Sequence, residues 1–447
     1  MSIIMVYILV ILLIAQLFII YYAEGRNYLS VSFFATAFFL ISAVFYFIGM
    51  GLFQSDLLVK TVFLIYGSLV VLTLGELIGQ KTRFKVLSCN TEKLYIVKHR
   101  DISMITVIMV MIFIYRFFDL YLYSLEIGNT GGIFHTISVT RLDYAMGVYK
   151  TSLPFYFLFT VGTLMSEMIA YFFIYIFMNN LVIGKRKELK LLLPVGGYAV
   201  ILIALTERTS YIKLFTAFVI AYMLTLYKKQ GAVRRRRLNK KIKRTVAGFG
   251  IMFGVFFFGY GIFTRGDKDG LSLFELLIAY IGAPLYGLNK MFEHPLPSYS
   301  LFGYYTMSGV YRVLNIFGFD FRISQTHLPM FEYGHLLTSN IYTSLALPLM
   351  DYGVTITILS RFFWGFLGGV IQKRMITSAL INVWDFVLFI LMVLLFYCGL
   401  MAFCADRYKE IFLSPTTLIK YTIFAWLTIK FTVRYKVIEI KRGGEEA

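Results

Sequence analysis

Apolar runs of about 20 residues, divided by polar links, recur along the whole chain, and each is long enough to cross a bilayer core of roughly 30 Å. They stand at about 3–22, 29–53, 57–80, 102–123, 154–181, 189–205, 211–227, 245–264, 352–371, 380–404 and 415–433. Continuous apolarity over that length predicts helices, because a membrane-spanning strand would show short segments of alternating polarity. The pattern predicts an all-α, polytopic integral membrane protein with about 11 transmembrane helices, forming a single transmembrane domain over residues 1–447. No internal repeat is visible. The opening MSIIMVYILVILLIAQLFIIYY has no basic start and no small-residue cleavage site, so it reads as the first span rather than a removed signal peptide.

The links alternate between two kinds. Links 81–100, 184–190, 228–244 and 372–374, the tail from Arg434, and Arg26 hold 27 Lys and Arg residues, whereas links 54–56, 124–153, 206–210, 265–350 and 405–414 hold 10 over a longer stretch of chain. Basic links stay in the cytoplasm, so the pattern predicts the C-terminus inside, the N-terminus outside and the second set of links facing outward. A net charge of +19 would suggest nucleic acid on a soluble protein; here it is explained by topology, and no nucleic-acid partner is expected. The RRRR run at 234–237 needs no ligand beyond anionic lipid headgroups. Charged residues make up only 15% of the chain, against roughly 25% in soluble domains, which excludes a soluble enzyme.

Two outward links carry chemistry. TERTSYIK (206–213) puts Glu207 and Arg208 on a short turn at headgroup depth. The 265–350 link is long enough to expect function in it. Its first part, LSLFELLIAYIGAPLYGLNKMFEH, reads as an interfacial or partly inserted helix broken at Gly282, Ala283 and Pro284. Its middle is rich in Tyr and Gly, and tyrosines suit both the headgroup level and the apolar faces of sugar rings. Its last part brings Arg322, His327, Glu332, His335, Asn340, Tyr342, Thr343 and Asp351 up to the next span. No metal-ligand spacing joins the histidines, no Gly-rich phosphate loop is present, and the three cysteines form no C-x-x-C pair, so neither metal nor cofactor is expected. Glu76, Arg116, Asp119, Glu167, Arg361 and Asp385 lie in or near apolar runs and are expected to face the bundle interior, Arg116 pairing with Asp119 on one helix face.

The segment YIGAPLYGLNKMFEHPLPSYSLFGYYTMSGVYRVLNIFG (280–318) resembles the large outer loop of Wzy-type oligosaccharide repeat unit polymerases, the O-antigen polymerase family. NIYTSLALPLMDYG (340–353) is similar to that family's NVYT and D-x-G segment, and ERTS (207–210) to its GGRTS-like turn, with Glu207 where the family has glycine. The resemblance covers about a third of the chain, in order and on one predicted face. It implies a class C glycosyltransferase-like fold and transfer of a growing glycan from undecaprenyl pyrophosphate onto the non-reducing end of a new lipid-linked repeat unit. That activity belongs to the outer face of the bacterial inner membrane, in O-antigen or capsule synthesis, with no nucleotide sugar and no obligatory metal. The implied partners are the undecaprenyl-pyrophosphate-linked oligosaccharide, membrane lipids, a chain-length regulator protein and the flippase.

That reaction needs a cation for the departing pyrophosphate and a base for the acceptor hydroxyl. Arginine binds phosphate bidentately at any working pH. Arg208 is expected as the central phosphate ligand, with Arg312, Arg322 and Arg265 completing a clamp. His335 is the first choice of base, with Glu332, Glu275 and Asp143 as competitors. Asp351 is either catalytic, orienting the acceptor, or a cap on the ninth span. Tyr342, Asn340, Thr343 and Tyr286 are expected to meet sugar hydroxyls. The alternative readings are a lipid-linked oligosaccharide flippase, which would not need so long an outer link, and an O-antigen ligase, which shares the chemistry but uses another acceptor.

Overall fold

The structure is a computed structural model. It describes residues 2–24, 28–53, 56–82, 91–128, 139, 154, 156–205, 208–230, 248, 273–295, 299, 301–322, 331–333, 337–378 and 383–441. In chain order the elements are α1 (Ser2–Ala23), α2 (Val31–Ile48), α3 (Met50–Phe53), α4 (Val59–Gln80), β1 (Thr91–Val97), α5 (His99–Glu126), α6 (Tyr156–Val182) and a 3-10 turn (Leu189–Leu192) leading into α7 (Leu193–Leu205). Then come α8 (Arg208–Gln230), α9 (Leu273–Glu293), α10 (Ser308–Ile316), the β2–β3 hairpin (Phe331–Tyr333 and Leu337–Ser339), α11 (Ala346–Thr377), α12 (Val383–Met401), α13 (Arg407–Ile411) and α14 (Pro415–Leu427). A π turn, Thr428–Thr432, and β4 (Tyr435–Lys441) complete the described chain.

Among the described residues, eight helices are long and apolar enough to cross a membrane: Ile4–Ala23, Val31–Ile48, Val59–Gln80, His99–Glu126, Phe157–Val182, Thr209–Lys229, Ala346–Thr377 and Val383–Met401. Each coincides with a predicted span. Leu189–Leu205 is a shorter apolar helix, and the last predicted span is α14 extended by the π turn. Apart from Gly248, the predicted span at 245–264 lies outside the described residues. Helices suit such a chain because every backbone N–H and C=O is satisfied within the segment.

The chain divides into two compact units. The first contains Met1–Lys85, Asp267–Met375 and Leu394–Lys420. A glycine seam fixes its centre. Gly75 and Gly79 on α4 face Gly365 and Gly369 on α11 so closely that a Cβ on any of the four would collide with backbone atoms of the other helix. Small residues at such a crossing replace the hydrophobic drive that lipid removes, letting backbones pack directly. One end of this unit is tied by Glu76, which is fully buried and accepts from Ser30 Oγ (2.9 Å), Val31 N (2.8 Å) and Ser32 N (2.9 Å). Beside it Gln80 Nε2 donates to Gln372 Oε1 (2.7 Å) and Glu24 Oε2 (3.2 Å), and Gln372 reaches the Leu29 carbonyl. Burial, and then the Glu76 carboxylate, push the Glu24 carboxyl well above its usual range. At the opposite end Asn289 joins α9 to the chain before α4: its Oδ1 accepts from Leu58 N and Thr61 Oγ1, and its Nδ2 donates to the Asp56 carbonyl, all at 2.8 Å. Ser344 N donates to the Ala402 carbonyl there as well (2.8 Å). In this unit, links of one predicted set thus meet at one end and links of the other set at the other.

The expected break in the first part of the long link is corrected. α9 runs unbroken for 21 residues through Pro284. The proline removes one donor, but the helix is buried along Ile281, Ala283, Leu285 and Leu288, and Ser42 Oγ donates to the Ile281 carbonyl at 2.6 Å. Gly282 serves close approach: a Cβ there would lie 2.9 Å from the Phe53 ring and 3.1 Å from Tyr46 Cα.

The second unit contains Val86–Gly266, Ile376–Val393 and Tyr421–Ala447. Residues Met168 to Met178 of α6 are all buried, so α6 is its central helix. In contrast, α5 exposes Met104, Val107, Ile108, Met111, Ile114, Phe118, Tyr121 and Leu125 at helical spacing, an apolar stripe suited to lipid. β1 and β4 pair antiparallel from Thr91↔Lys441 to Val97↔Tyr435. Asn180 binds both backbone groups of Tyr95, accepting from its N–H (3.1 Å) and donating to its carbonyl (2.7 Å). Lys229 Nζ donates to the Val182 carbonyl at 2.5 Å. Here too the basic links share an end. Interior charges pair as expected: Arg116 and Asp119 meet at 2.6 Å, both buried. Glu167 accepts from Tyr171 (2.8 Å) and Tyr421 (3.3 Å).

Candidate functional site

The site grows from a break in α11. Gly353 has φ +72° and ψ −178° inside that helix, a backbone region essentially restricted to glycine. The break detaches a short leading stretch, Ala346–Tyr352, that ends in Asp351 and Tyr352. Asp351 does not cap its own helix. Its carboxylate accepts from Tyr305 N (3.0 Å), Thr306 N (2.7 Å) and Thr306 Oγ1 (2.7 Å), and Tyr352 OH shares a hydrogen bond with Thr306 Oγ1 (2.7 Å). These bonds tie the turn before α10 to α11. They also occupy both carboxylate oxygens, which suits Asp351 as an anchor more than as a proton acceptor.

The anchored turn carries an aromatic shelf. Tyr299 and Tyr304 stack with centroids 3.9 Å apart, and Tyr305 meets both rings edge-on at 6.0 and 5.0 Å. Tyr299 is exposed. Burial and the neighbouring tyrosines push the Tyr305 phenol up to about 12, so it remains a hydrogen-bond donor at working pH. α10 follows, with Arg312 exposed on it and Ile316, Phe317 and Phe319 exposed at its end, the character expected of an interfacial helix.

The same unit holds further charge: Arg361, expected in the bundle interior, and the 406–410 run, which the sequence did not single out. Arg361, two turns past the break, is 4% exposed. Its Nη2 donates to the Ser344 carbonyl (2.8 Å) and its guanidinium lies 5.5 Å from the Tyr408 ring centroid, a cation–π contact. Its Nε is buried without a partner. Asp406 caps α13, accepting from Lys409 N (3.2 Å). Burial raises its pKa while Arg361 and Lys409 pull it down. Arg407 pairs with Glu410. Lys409 is partly buried, and burial lowers its pKa against the pull of Asp406, Glu410 and Asp351, with Arg312 adding to the lowering. The signal in the sequence was DRYKE at 406–410, a dense charged run in an otherwise apolar neighbourhood.

The expected site residues distribute as follows. Arg312 and Asp351 belong to this cluster. Arg322 is exposed just beyond α10, and its charge acts on Tyr304. Tyr286 and Tyr342 are buried against Phe331, with ring centroids 5.5 and 5.0 Å from it, and Tyr286 OH donates to the Glu332 carbonyl (3.2 Å). They hold the β2–β3 hairpin to α9. Thr343 is buried, and its hydroxyl accepts from Leu345 N (3.3 Å). Glu332 and Asn340 are exposed. Arg208 begins α8 in the second unit, its side chain outside the described residues, as are His335, Arg265, His327 and Asp143. Glu275 lies in the first turn of α9. Among the described residues no group of three metal-ligating side chains occurs. Searches against protein-family models, curated proteins and solved structures find no match for this chain.

Proposed function

We propose that this chain polymerises undecaprenyl-pyrophosphate-linked oligosaccharide repeat units at the outer face of a bacterial inner membrane, with about 11 spans, the N-terminus outside and the C-terminus in the cytoplasm. One observation carries the reading. The two longest stretches that resemble the polymerase family, 280–318 and 340–353, fold onto each other through Asp351 and the backbone of Tyr305 and Thr306. Bonds between residues 45 and 46 positions apart thereby join the two stretches into one surface. The grouping of the two sets of links at opposite ends within the first unit supports assigning that surface outward.

In the reaction, a hydroxyl oxygen of the acceptor sugar bonds to the anomeric carbon of the donor chain. The bond from that carbon to the pyrophosphate oxygen breaks, and undecaprenyl pyrophosphate leaves with the electron pair. The hydroxyl proton passes to a base, for which His335 and Glu332 stand as the proposed residues. The tyrosine shelf offers apolar faces to sugar rings. Arg312 and Arg322 supply the positive charge for the leaving group. Deleting the gene and resolving the surface polysaccharide by gel tests the reading. A ladder collapsing to a single repeat unit is expected. Loss of even the single unit would instead indicate the flippase or ligase alternative.

A further inference from the structure

The end of the first unit that Glu76 ties together holds two buried carboxyls. Glu24 is 8% exposed and Glu76 fully buried. A ring of hydrogen bonds brings them into one site. Ser30 Oγ donates to Glu76, and Gln372 Nε2 donates to the carbonyl of the adjoining Leu29. Gln80, one helical turn beyond Glu76 on α4, donates to Gln372 Oε1 and to Glu24 Oε2. The two carboxyls differ in what they accept. Glu76 takes three donors at 2.8–2.9 Å. Glu24 Oε2 takes one longer bond, at 3.2 Å, and Glu24 Oε1 is buried with no partner. None of the described cations, Lys81, Lys373 and Arg374 at the ends of α4 and α11 included, forms an ion pair with either carboxyl. From α13, Tyr408 feels the Glu76 charge. Arg26, Arg83 and Lys85 of the adjoining links lie outside the described residues.

An enclosed carboxylate without a cation takes up a proton rather than stay charged, and two that share a site cannot both ionise. The three donors on Glu76 favour its charged form. Glu24 has no such support, and a proton on it turns the unpartnered Oε1 into a donor. We propose that Glu24 and Glu76 form a proton-binding site in which Glu24 carries the proton and Glu76 the charge. Burial and the Glu76 carboxylate both raise the Glu24 carboxyl, the direction the site needs. Losing the proton puts two negative charges in one enclosed space and works the end of α1 loose from α4 and α11. The site lies at the opposite end of the unit from Asn289 and Ala402 and owes nothing to the polymerase reading.

Infrared spectra of the purified full-length protein, in deuterated buffer and an ester-free detergent, read the proton directly. At neutral pH the wild type is expected to show the carbonyl stretch of a buried protonated carboxyl, absent from Glu24→Gln, and to lose it as pH rises. Glu76→Gln removes the neighbouring charge, so there the loss is expected at least about one pH unit lower. Thermal unfolding gives a second reading. The folded protein holds this proton more tightly than the unfolded chain does. Its stabilisation is therefore full below the ordinary glutamate range and fades as pH rises from there through the raised value. The wild-type midpoint is expected to fall by at least about 2 °C relative to Glu24→Gln between about pH 5 and about pH 8. Equal spectra of wild type and Glu24→Gln with parallel pH profiles overturn the proposal, the result expected if a cation of the adjoining links neutralised Glu24. A midpoint that rises with sodium or magnesium in the wild type and not in Glu24→Gln also overturns it, in favour of a bound cation.

Discussion

Replacing Asp351 by alanine is expected to destabilise the first unit by about 3 kcal/mol, the combined effect of three hydrogen bonds to a charged acceptor, and to abolish long glycan chains. The carboxylate holds Tyr305 N, Thr306 N and Thr306 Oγ1 at once, so its loss strands two backbone donors and frees the turn that carries Tyr304 and Tyr305. Asp351→Asn keeps one acceptor oxygen and is expected to fall between. Thr306→Val removes the side-chain bond alone and should cost about 1 kcal/mol. Thermal unfolding separates these from a purely chemical role. If Asp351→Ala unfolded like the wild type, the anchor would be wrong, and a direct part in catalysis would be the better account of any lost activity.

The second large effect concerns the glycine seam. Gly365→Ala is expected to cost about 2–3 kcal/mol, and Gly365→Leu to leave no stable protein, because the obstacle to a side chain is the α4 backbone around Leu72 and Glu76 rather than a movable side chain. The same helix carries Asp351 and Arg361, so even the milder variant displaces both ends of the site. Alanine at Gly196 or Gly248, where nothing lies within 4 Å of the added Cβ, serves as the control. Expression and thermal unfolding of the three variants measure the difference, and equal stability at Gly365 and Gly196 would refute the seam.

The spans were legible because length and apolarity alone decide them: α1, α2, α4, α5, α6, α8, α11 and α12 fall on predicted runs. What stayed hidden depends on distant partners. Gly75 and Gly79 read as ordinary spacing until Gly365 and Gly369, nearly 300 positions on, pack against them. β1 carries no strand pattern of its own and pairs with β4 at the far end of the chain. Pro284 looked like a stop because the local rule says so, and buried packing along α9 overrides it. In the site, the D-Y-G motif was visible, but what Asp351 binds was not, since Thr306 is 45 residues upstream.

Reconstituting the purified protein with undecaprenyl-pyrophosphate-linked repeat units, without nucleotide sugar and with a chelator, then weighing the products by mass spectrometry, tests the central claim most directly. Polymerisation at the α10–α11 surface predicts species of two and more units, one undecaprenyl pyrophosphate released per bond, and fewer such species from a folded Asp351→Asn protein. Repeat units recovered unjoined, or merely moved across the vesicle membrane, would contradict it.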